Sequence, residues 1–154
     1  MSKKILLAAI NAKYIHSNLA VYCLDAYARK YSEAVKDGRV SVIYREFTIN
    51  QQIDEILEEI YREKPDVIGF SCYIWNISYV MTLIKELKVL LPHTDIWLGG
   101  PEVSYNREEI LQEHPEITGV MCGEGERVFA SLCDYYGNDT EGEFDSCLLY
   151  TSDA

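Results

Sequence analysis

The chain has 154 residues, of which 48% are hydrophobic, and it carries a formal net charge of −11. This length is sufficient for one domain with a full hydrophobic core and too short for two ordinary domains. The negative charge argues against nucleic acid as a partner, because phosphate binding needs a basic surface, and no apolar run reaches the roughly 18 residues of a membrane span.

Strands and helices are predicted to alternate along the chain. Short apolar runs predict five strands, since a strand that is covered on both faces is apolar at nearly every position. Amphipathic periodicity predicts the helices between them. The strands are predicted at residues 4–10, 40–47, 66–70, 95–98 and 117–121. The first helix is predicted to bury the stripe Ala20, Cys23, Leu24, Tyr27 and Tyr31, and further helices are predicted at 53–61, 77–91, 106–113 and 128–136.

This alternation predicts an α/β fold, a three-layer doubly wound parallel sheet with the flavodoxin-like (Rossmann-like) strand order 2-1-3-4-5. Ligands of such sheets bind beyond the carboxyl ends of the strands, where the strand order reverses. The loops after strands one, three, four and five should therefore surround one crevice. The domain is predicted to span residues 1–136, and residues 137–154 are predicted to be a linker or a non-native tail.

The candidate binding residues lie in these four loops, and a plain surface turn does not need them. They are polar or aromatic side chains, or glycines that permit a close approach to the backbone. The set consists of Asn11, Tyr14, His16, Ser71, Tyr73, Gly99, Gly100, Glu102, Gly123 and Glu124.

The motifs for the common ligands of this fold are missing. The loop after the first strand contains no glycine, which excludes the Gly-x-Gly-x-x-Gly dinucleotide motif there, and a P-loop is also absent. Residues 11–16 of this loop are not rich in Ser, Thr and Gly, as a flavodoxin phosphate loop would be. A phosphoacceptor receiver domain would need an aspartate where Ser71 stands. No Gly-x-Ser-x-Gly sequence supports a hydrolase.

The five cysteines indicate neither a disulfide framework nor a zinc knuckle, because the number is odd and no Cys-x-x-Cys pair occurs. Cys23 and Cys133 fall on predicted apolar helix stripes, and Cys72 and Cys122 end predicted strands. These positions are typical of buried thiols in a reducing cytoplasm.

Four motifs in chain order carry a family resemblance. They are the first loop, residues 11–17; Asp-Val-Ile-Gly-Phe-Ser-Cys-Tyr at 66–73; Leu-Gly-Gly-Pro-Glu at 98–102; and Gly-Glu-Gly-Glu at 123–126. Together they resemble the cobalamin-binding domain that precedes the radical SAM domain in B12-dependent radical SAM enzymes. The resemblance covers about residues 3–136.

The resemblance implies base-off cobalamin, whose benzimidazole tail is swung away from cobalt and buried beside the sheet. Ser71 would then meet a nitrogen of that base, and Gly99 and Gly100 would admit the ligand to the backbone. Asn11 and Tyr14 would contact the lower face of the corrin. Two other interpretations stay open: a strand-end serine bonded to backbone, and a glycine pair that forms a tight turn.

The remaining loop residues have binding and structural interpretations. Tyr73 could wall the site or belong to the core. Backbone amides around Gly123 could bind the tail or the corrin amides, whereas Glu124 at a helix start would complement the helix dipole.

His16 has two possible roles. In cobalamin-dependent methionine synthase and mutases, an Asp-x-His-x-x-Gly loop supplies the lower axial ligand of cobalt. Here Tyr14 replaces the aspartate and Leu19 replaces the glycine, so a carboxylate that would fix the histidine tautomer is not evident. His16 is either a cobalt ligand or a turn or capping histidine near the corrin.

The resemblance also implies a longer parent enzyme, a methyltransferase or related oxidoreductase, with a C-terminal radical SAM domain. That domain would hold a [4Fe-4S] cluster and S-adenosylmethionine. Its Cys-x-x-x-Cys-x-x-Cys motif is absent from these residues, so this fragment alone is not expected to catalyse. Two alternatives remain, namely a degenerate docking domain that no longer binds cobalamin, and a small-molecule enzyme that uses Glu124 or His16 in acid–base work.

Overall fold

A six-stranded sheet forms the centre of the described part of the chain, which in this computed structural model comprises residues 2–11, 19–73, 76–104, 106–122, 125–138 and 149–151. The strands are β1 (Lys3–Asn11), β2 (Val40–Thr48), β3 (Val67–Ser71), β4 (Asp95–Gly99), β5 (Gly119–Met121) and β6 (Leu149–Thr151). Their order is β2-β1-β3-β4-β5-β6. The first five strands are parallel and β6 is antiparallel to β5. The predicted parallel order 2-1-3-4-5 is confirmed.

Helices cover both faces of the sheet. They are α1 (Leu19–Tyr31), α2 (Glu33–Lys36), α3 (Ile53–Glu63), α4 (Ile77–Leu90), α5 (Pro101–Ser104), α6 (Arg107–Glu113) and α7 (Gly125–Gly137). Buried side chains of α1, α2 and α7 share one hydrophobic cluster with the sheet, whereas those of α3, α4, α5 and α6 belong to the other. The molecule therefore has the three layers that the alternation predicts.

Strand β1 shows why continuous apolar runs mark the central strands. Every residue from Ile5 to Asn11 is buried. Because successive side chains of a strand point to opposite faces, Leu7 and Ala9 pack toward α1 and α7, and Leu6 and Ala8 pack toward α3 and α4. A polar residue within this run would be buried whichever face it occupied.

The predicted buried stripe of α1 was wrong in part, since Leu24 packs against the core but other positions of the helix are more deeply buried. Val21, Asp25 and Ala28 are buried, whereas Tyr31 is 53% exposed. Arg29 donates from Nε to Asp25 Oδ1 at 3.0 Å, and from Nη2 to the carbonyl of Val42 at 3.2 Å. This ion pair lets a carboxylate lie on the inner face, where the sequence pattern favoured aromatic rings.

Strand β6 was also not predicted, and it lies within residues 137–154, the predicted linker or non-native tail. The pairing joins Gly119 to Thr151, Val120 to Tyr150 and Met121 to Leu149. An edge strand offers backbone hydrogen bonds to any extended segment, whatever its side-chain pattern. Such pairing leaves little signal in the sequence.

A buried hydrogen-bonded chain links α7 to the first half of β4. Trp97 Nε1 donates to the Tyr136 oxygen at 2.9 Å, and the Tyr136 hydroxyl donates to Asp95 Oδ2 at 2.6 Å. Burial raises the pKa of Tyr136 above its ordinary value, and the bond to Asp95 raises it further. The folded state therefore favours the protonated phenol.

Raising the pH from about 8 to about 11 should lower the free energy of unfolding, because the phenol of unfolded Tyr136 ionises near pH 10 while the folded one stays protonated. This contribution to stability is complete below pH 10 and is lost as the pH rises toward the folded pKa. Urea unfolding at each pH measures it. The variant Tyr136→Phe should show a shallower decline, whereas Tyr22→Phe, at an exposed position, should follow the wild type. Equal slopes in all three proteins would contradict the role of Tyr136.

Candidate functional site

A cavity of about 320 Å³ lies between the sheet and helices α1 and α7. Its walls come from β1, β3, β4 and β5 and from the loops after β3 and β4, and the first turns of α1 and α7 line it from the other side. It therefore lies at the carboxyl ends of β3 and β4, beside the described parts of the loops that follow them.

Strand register explains why the sheet has a depression at this place. Ala9 of β1 pairs with Ser71 of β3, and Ser71 pairs with Gly99 of β4. Two residues earlier on the same face, Leu7 pairs with Gly69. Of these residues, the small Gly69, Ser71 and Gly99 of β3 and β4 line the cavity together with Leu7 of β1. Small side chains at these positions leave room between the sheet and helices α1 and α7.

The deep end of this cavity is the part beside Leu7 and Gly69, which lie two residues further from the carboxyl ends of β1 and β3 than Ala9 and Ser71, and the Met121 side chain reaches it. A Cβ atom on Gly99 would lie 3.4 Å from Met121 Cε, and one on Gly69 would lie 3.8 Å from the same atom. That second Cβ would also lie 3.3 Å from Leu7 Cδ2. The Met121 side chain therefore extends across both glycines. Leu7, Gly69 and Met121 were not predicted as site residues, although a glycine inside a buried strand is a known sign of close approach.

Ser71 and Tyr73 are the polar side chains among the described lining residues. Both are partly buried. The Ser71 hydroxyl makes no hydrogen bond to any described residue. It is therefore available to a molecule in the cavity, and the backbone-bonded interpretation of this serine finds no support.

Gly100 determines the conformation of the loop after β4. This glycine has φ +102°, and a Cβ atom there would lie 2.5 Å from the Cys72 carbonyl oxygen. The Cys72 amide donates to the Gly99 carbonyl at 2.7 Å, which draws the two loops together. Gly100 lines the cavity, but its conformation and its contact with Cys72 already account for a glycine, in agreement with the tight-turn interpretation.

Asn76 joins the carboxyl ends of β1 and β3, and sequence reasoning missed it. Its Nδ2 donates to the carbonyls of Ile10 at 3.0 Å and Ser71 at 3.1 Å, and its Oδ1 accepts from the Tyr73 amide at 2.8 Å. The side chain is almost fully buried, with 1% of the residue exposed. One amide therefore fixes the switch point of the sheet and the start of the Tyr73 loop.

The structure does not bring all the predicted residues to the cavity. Asn11 is buried at the end of β1, where its carbonyl accepts from the Ile49 amide at 3.0 Å, and it does not line the cavity. Glu102 lies partly buried on α5, outside the lining. Four further candidates, Tyr14, His16, Gly123 and Glu124, lie outside the described residues.

Two buried cysteines near this edge are not activated nucleophiles. Burial raises the pKa of Cys72 to about 12, and the charge of Glu102 raises it further. Burial also raises the pKa of Cys122, and Arg107 partly opposes that effect. Both thiols are protonated at neutral pH. Within the described ranges, no cluster of three or more His, Cys, Asp or Glu side chains could hold a metal ion.

None of the helices in the described part of the chain is long and apolar enough to cross a membrane.

Comparison with known proteins gives a family match over most of the chain. Residues 5–133 match the model of the B12 binding domain. A curated relative is the cobalamin-dependent radical SAM methyltransferase TokK of Streptomyces tokunonensis. It is 30% identical over 107 residues, which cover 68% of this chain and 15% of TokK.

Solved structures share the fold at low sequence identity. The cobalamin-dependent S-adenosylmethionine radical enzyme OxsB, with aqua-cobalamin and S-adenosylmethionine bound, superposes with a TM-score of 0.71 and 16% identity, covering 92% of this chain and 19% of OxsB. The radical S-adenosylmethionine methyltransferase TsrM from Kitasatospora setae gives a TM-score of 0.65 at 20% identity, over 91% of this chain and 27% of TsrM. The chain thus spans between about a seventh and a quarter of these relatives.

Proposed function

Because the chain belongs to the B12-binding domain family, we propose that it binds cobalamin in the base-off form, with the nucleotide arm in the cavity beneath α1 and α7. The observation that carries this proposal is the cavity itself, which the small residues Gly69, Ser71 and Gly99 of β3 and β4 line. At about 320 Å³ it lies at the lower end of the range for ligand pockets, roughly 300–1,000 Å³. It suits the arm, while the corrin would lie outside at the carboxyl edge.

The chemistry of the lining supports a flat aromatic base as the buried part of the ligand. Leu7, Val21, Leu24 and Met121 supply apolar walls, and the hydrophobic effect favours burial of a benzimidazole between them. Ser71 offers a hydroxyl without a described partner at the mouth. It would donate a hydrogen bond to the base nitrogen that has left cobalt.

Further loop residues are proposed to serve the corrin. Asn11, Tyr14 and Gly123 are proposed to contact it, and His16 is proposed either to ligate cobalt or to cap the helix beside it. Glu124 is proposed to stabilise the start of α7. Bound cobalamin would supply a cobalt centre for methyl transfer, and this chain's residues would bind and orient it.

The parent protein is proposed to be a B12-dependent radical SAM enzyme, a methyltransferase or a related oxidoreductase. TokK, a curated relative, is a radical SAM methyltransferase. A further domain would hold the [4Fe-4S] cluster and S-adenosylmethionine, and the present domain would present cobalamin to it.

Incubation with hydroxocobalamin followed by gel filtration should give a coloured protein fraction with a base-off spectrum. Ser71→Ala should weaken binding about 5- to 10-fold, the value of one hydrogen bond of about 1–1.4 kcal/mol. Gly99→Val should abolish binding, because its side chain would occupy the space beneath Met121 Cε. Titration by absorbance measures all three affinities.

Ser41→Ala is the matched control, because this serine is exposed on the edge strand β2, and it should bind as the wild type does. Circular dichroism checks that Gly99→Val is folded. A colourless wild-type protein would instead favour a docking domain that has lost the cofactor.

A further inference from the structure

The deep end of the cavity lacks polar groups in the part of the chain that the structure describes. Gly69 is paired on both sides, with Leu7 of β1 and Trp97 of β4, so the ladders engage its backbone groups. The side chains around it are Leu7 and Met121. The polar side chains of the lining, Ser71 and Tyr73, belong to the carboxyl end of β3 and its loop.

Because the polar side chains lie at one end of the cavity only, the cavity should distinguish between nucleotide bases. A base that offers one nitrogen to Ser71 directs its far edge toward Leu7, Gly69 and Met121. The far edge of a benzimidazole is hydrocarbon, whereas an adenine carries further ring nitrogens and an amino group. Burial of these polar atoms without partners costs binding free energy.

We infer that the slot selects cobamides by their lower base, accepting benzimidazole types and rejecting purine types, and that Met121 is the residue that determines this specificity. The inference rests on the proposed function. Met121 suits such a role because its Cε lies over both Gly69 and Gly99, and an unbranched thioether adapts its shape to a flat ring. It therefore contributes both the depth of the slot and the apolar character of its floor.

Direct binding of a cobamide series to the whole chain tests the inference. Cobalamin (the dimethylbenzimidazolyl cobamide), adeninylcobamide and cobinamide, which has no nucleotide arm, are titrated into the purified protein by equilibrium dialysis. Cobalamin should bind at least about 10-fold more tightly than adeninylcobamide, since one unpaired buried polar group costs about that factor. Cobinamide should also bind at least about 10-fold more weakly than cobalamin.

Two substitutions of Met121 separate the effect of side-chain polarity from the effect of side-chain size. Met121→Gln keeps a similar length but introduces an amide, so it should reduce the preference for cobalamin over adeninylcobamide at least about 3-fold. Met121→Leu keeps the floor apolar and should retain the wild-type preference. The ratio of the two affinities is the readout, and it is independent of any catalytic activity.

The outcomes distinguish this inference from the function on which it rests. If cobalamin binds but adeninylcobamide binds equally well, the inference is overturned and the proposed function stands. The same holds if cobinamide matches cobalamin, because the slot would then contribute nothing. If none of the three corrinoids binds, both fail. An unchanged preference in folded Met121→Gln would remove Met121 from its assigned role.

Discussion

Replacing Gly100 by alanine should destabilise the protein by about 3–5 kcal/mol, the sum of backbone strain and overpacking. The residue has φ +102°, a conformation that L-residues with a side chain rarely adopt. Its new Cβ would lie 2.5 Å from the Cys72 oxygen and 2.9 Å from the Cys72 nitrogen. These are backbone atoms at the end of β3, so the clash can be relieved only by moving the strand ends apart. Urea unfolding with tryptophan fluorescence measures the loss.

Gly38→Ala separates the two causes. Gly38 also has a positive φ, +83°, but a Cβ there would meet nothing within 4 Å. It should therefore cost only the left-handed backbone term of about 1–2 kcal/mol. If Gly100→Ala and Gly38→Ala lowered the free energy of unfolding equally, the close approach of Gly100 to Cys72 would not contribute to the cost of the substitution.

Asn76→Ala is expected to lower the free energy of unfolding by about 2–4 kcal/mol, because it removes three hydrogen bonds and leaves buried backbone groups without partners. The Tyr73 amide would lose its acceptor, and the carbonyls of Ile10 and Ser71 would lose a donor. Chemical denaturation should show a lower midpoint with an unchanged slope, since the folded surface stays the same.

Asn106→Ala is the matched comparison. Asn106 also precedes a helix, but it is exposed and its side chain makes no capping bond. This change should alter stability by no more than about 0.5 kcal/mol. A similar loss in both variants would show that Asn76 acts only through helix initiation and not by joining β1 to β3.

The parallel core of the fold was predictable because its signals are local. Leu6, Leu7, Val67 and Ile68 are buried within runs that only a doubly covered strand needs. The misplaced face of α1 arose from tertiary context, since Asp25 is buried against Arg29, which also reaches the carbonyl of Val42. A single sequence does not show that an ion pair will let a carboxylate face inward.

The candidate site was predictable at the strand ends and not inside the sheet. Ser71 and Gly99 attract notice because polar residues and glycines directly after apolar runs mark a ligand edge. Gly69 and Met121 were missed because their importance depends on strand register. Only pairing across β3, β4 and β5 shows that one methionine side chain spans two glycines.

The cavity beneath α1 and α7 exists only in the folded protein, so a molecule that binds in it stabilises the fold. The side chains that line the cavity lack dispersion contacts across it when no molecule is bound, and a molecule that fills the cavity supplies them. Because a compound that enters the cavity binds only the folded state, the melting temperature should rise with the logarithm of the concentration of that compound. Thermal shift screening of small aromatic heterocycles would show which ring shapes fit beneath α1 and α7.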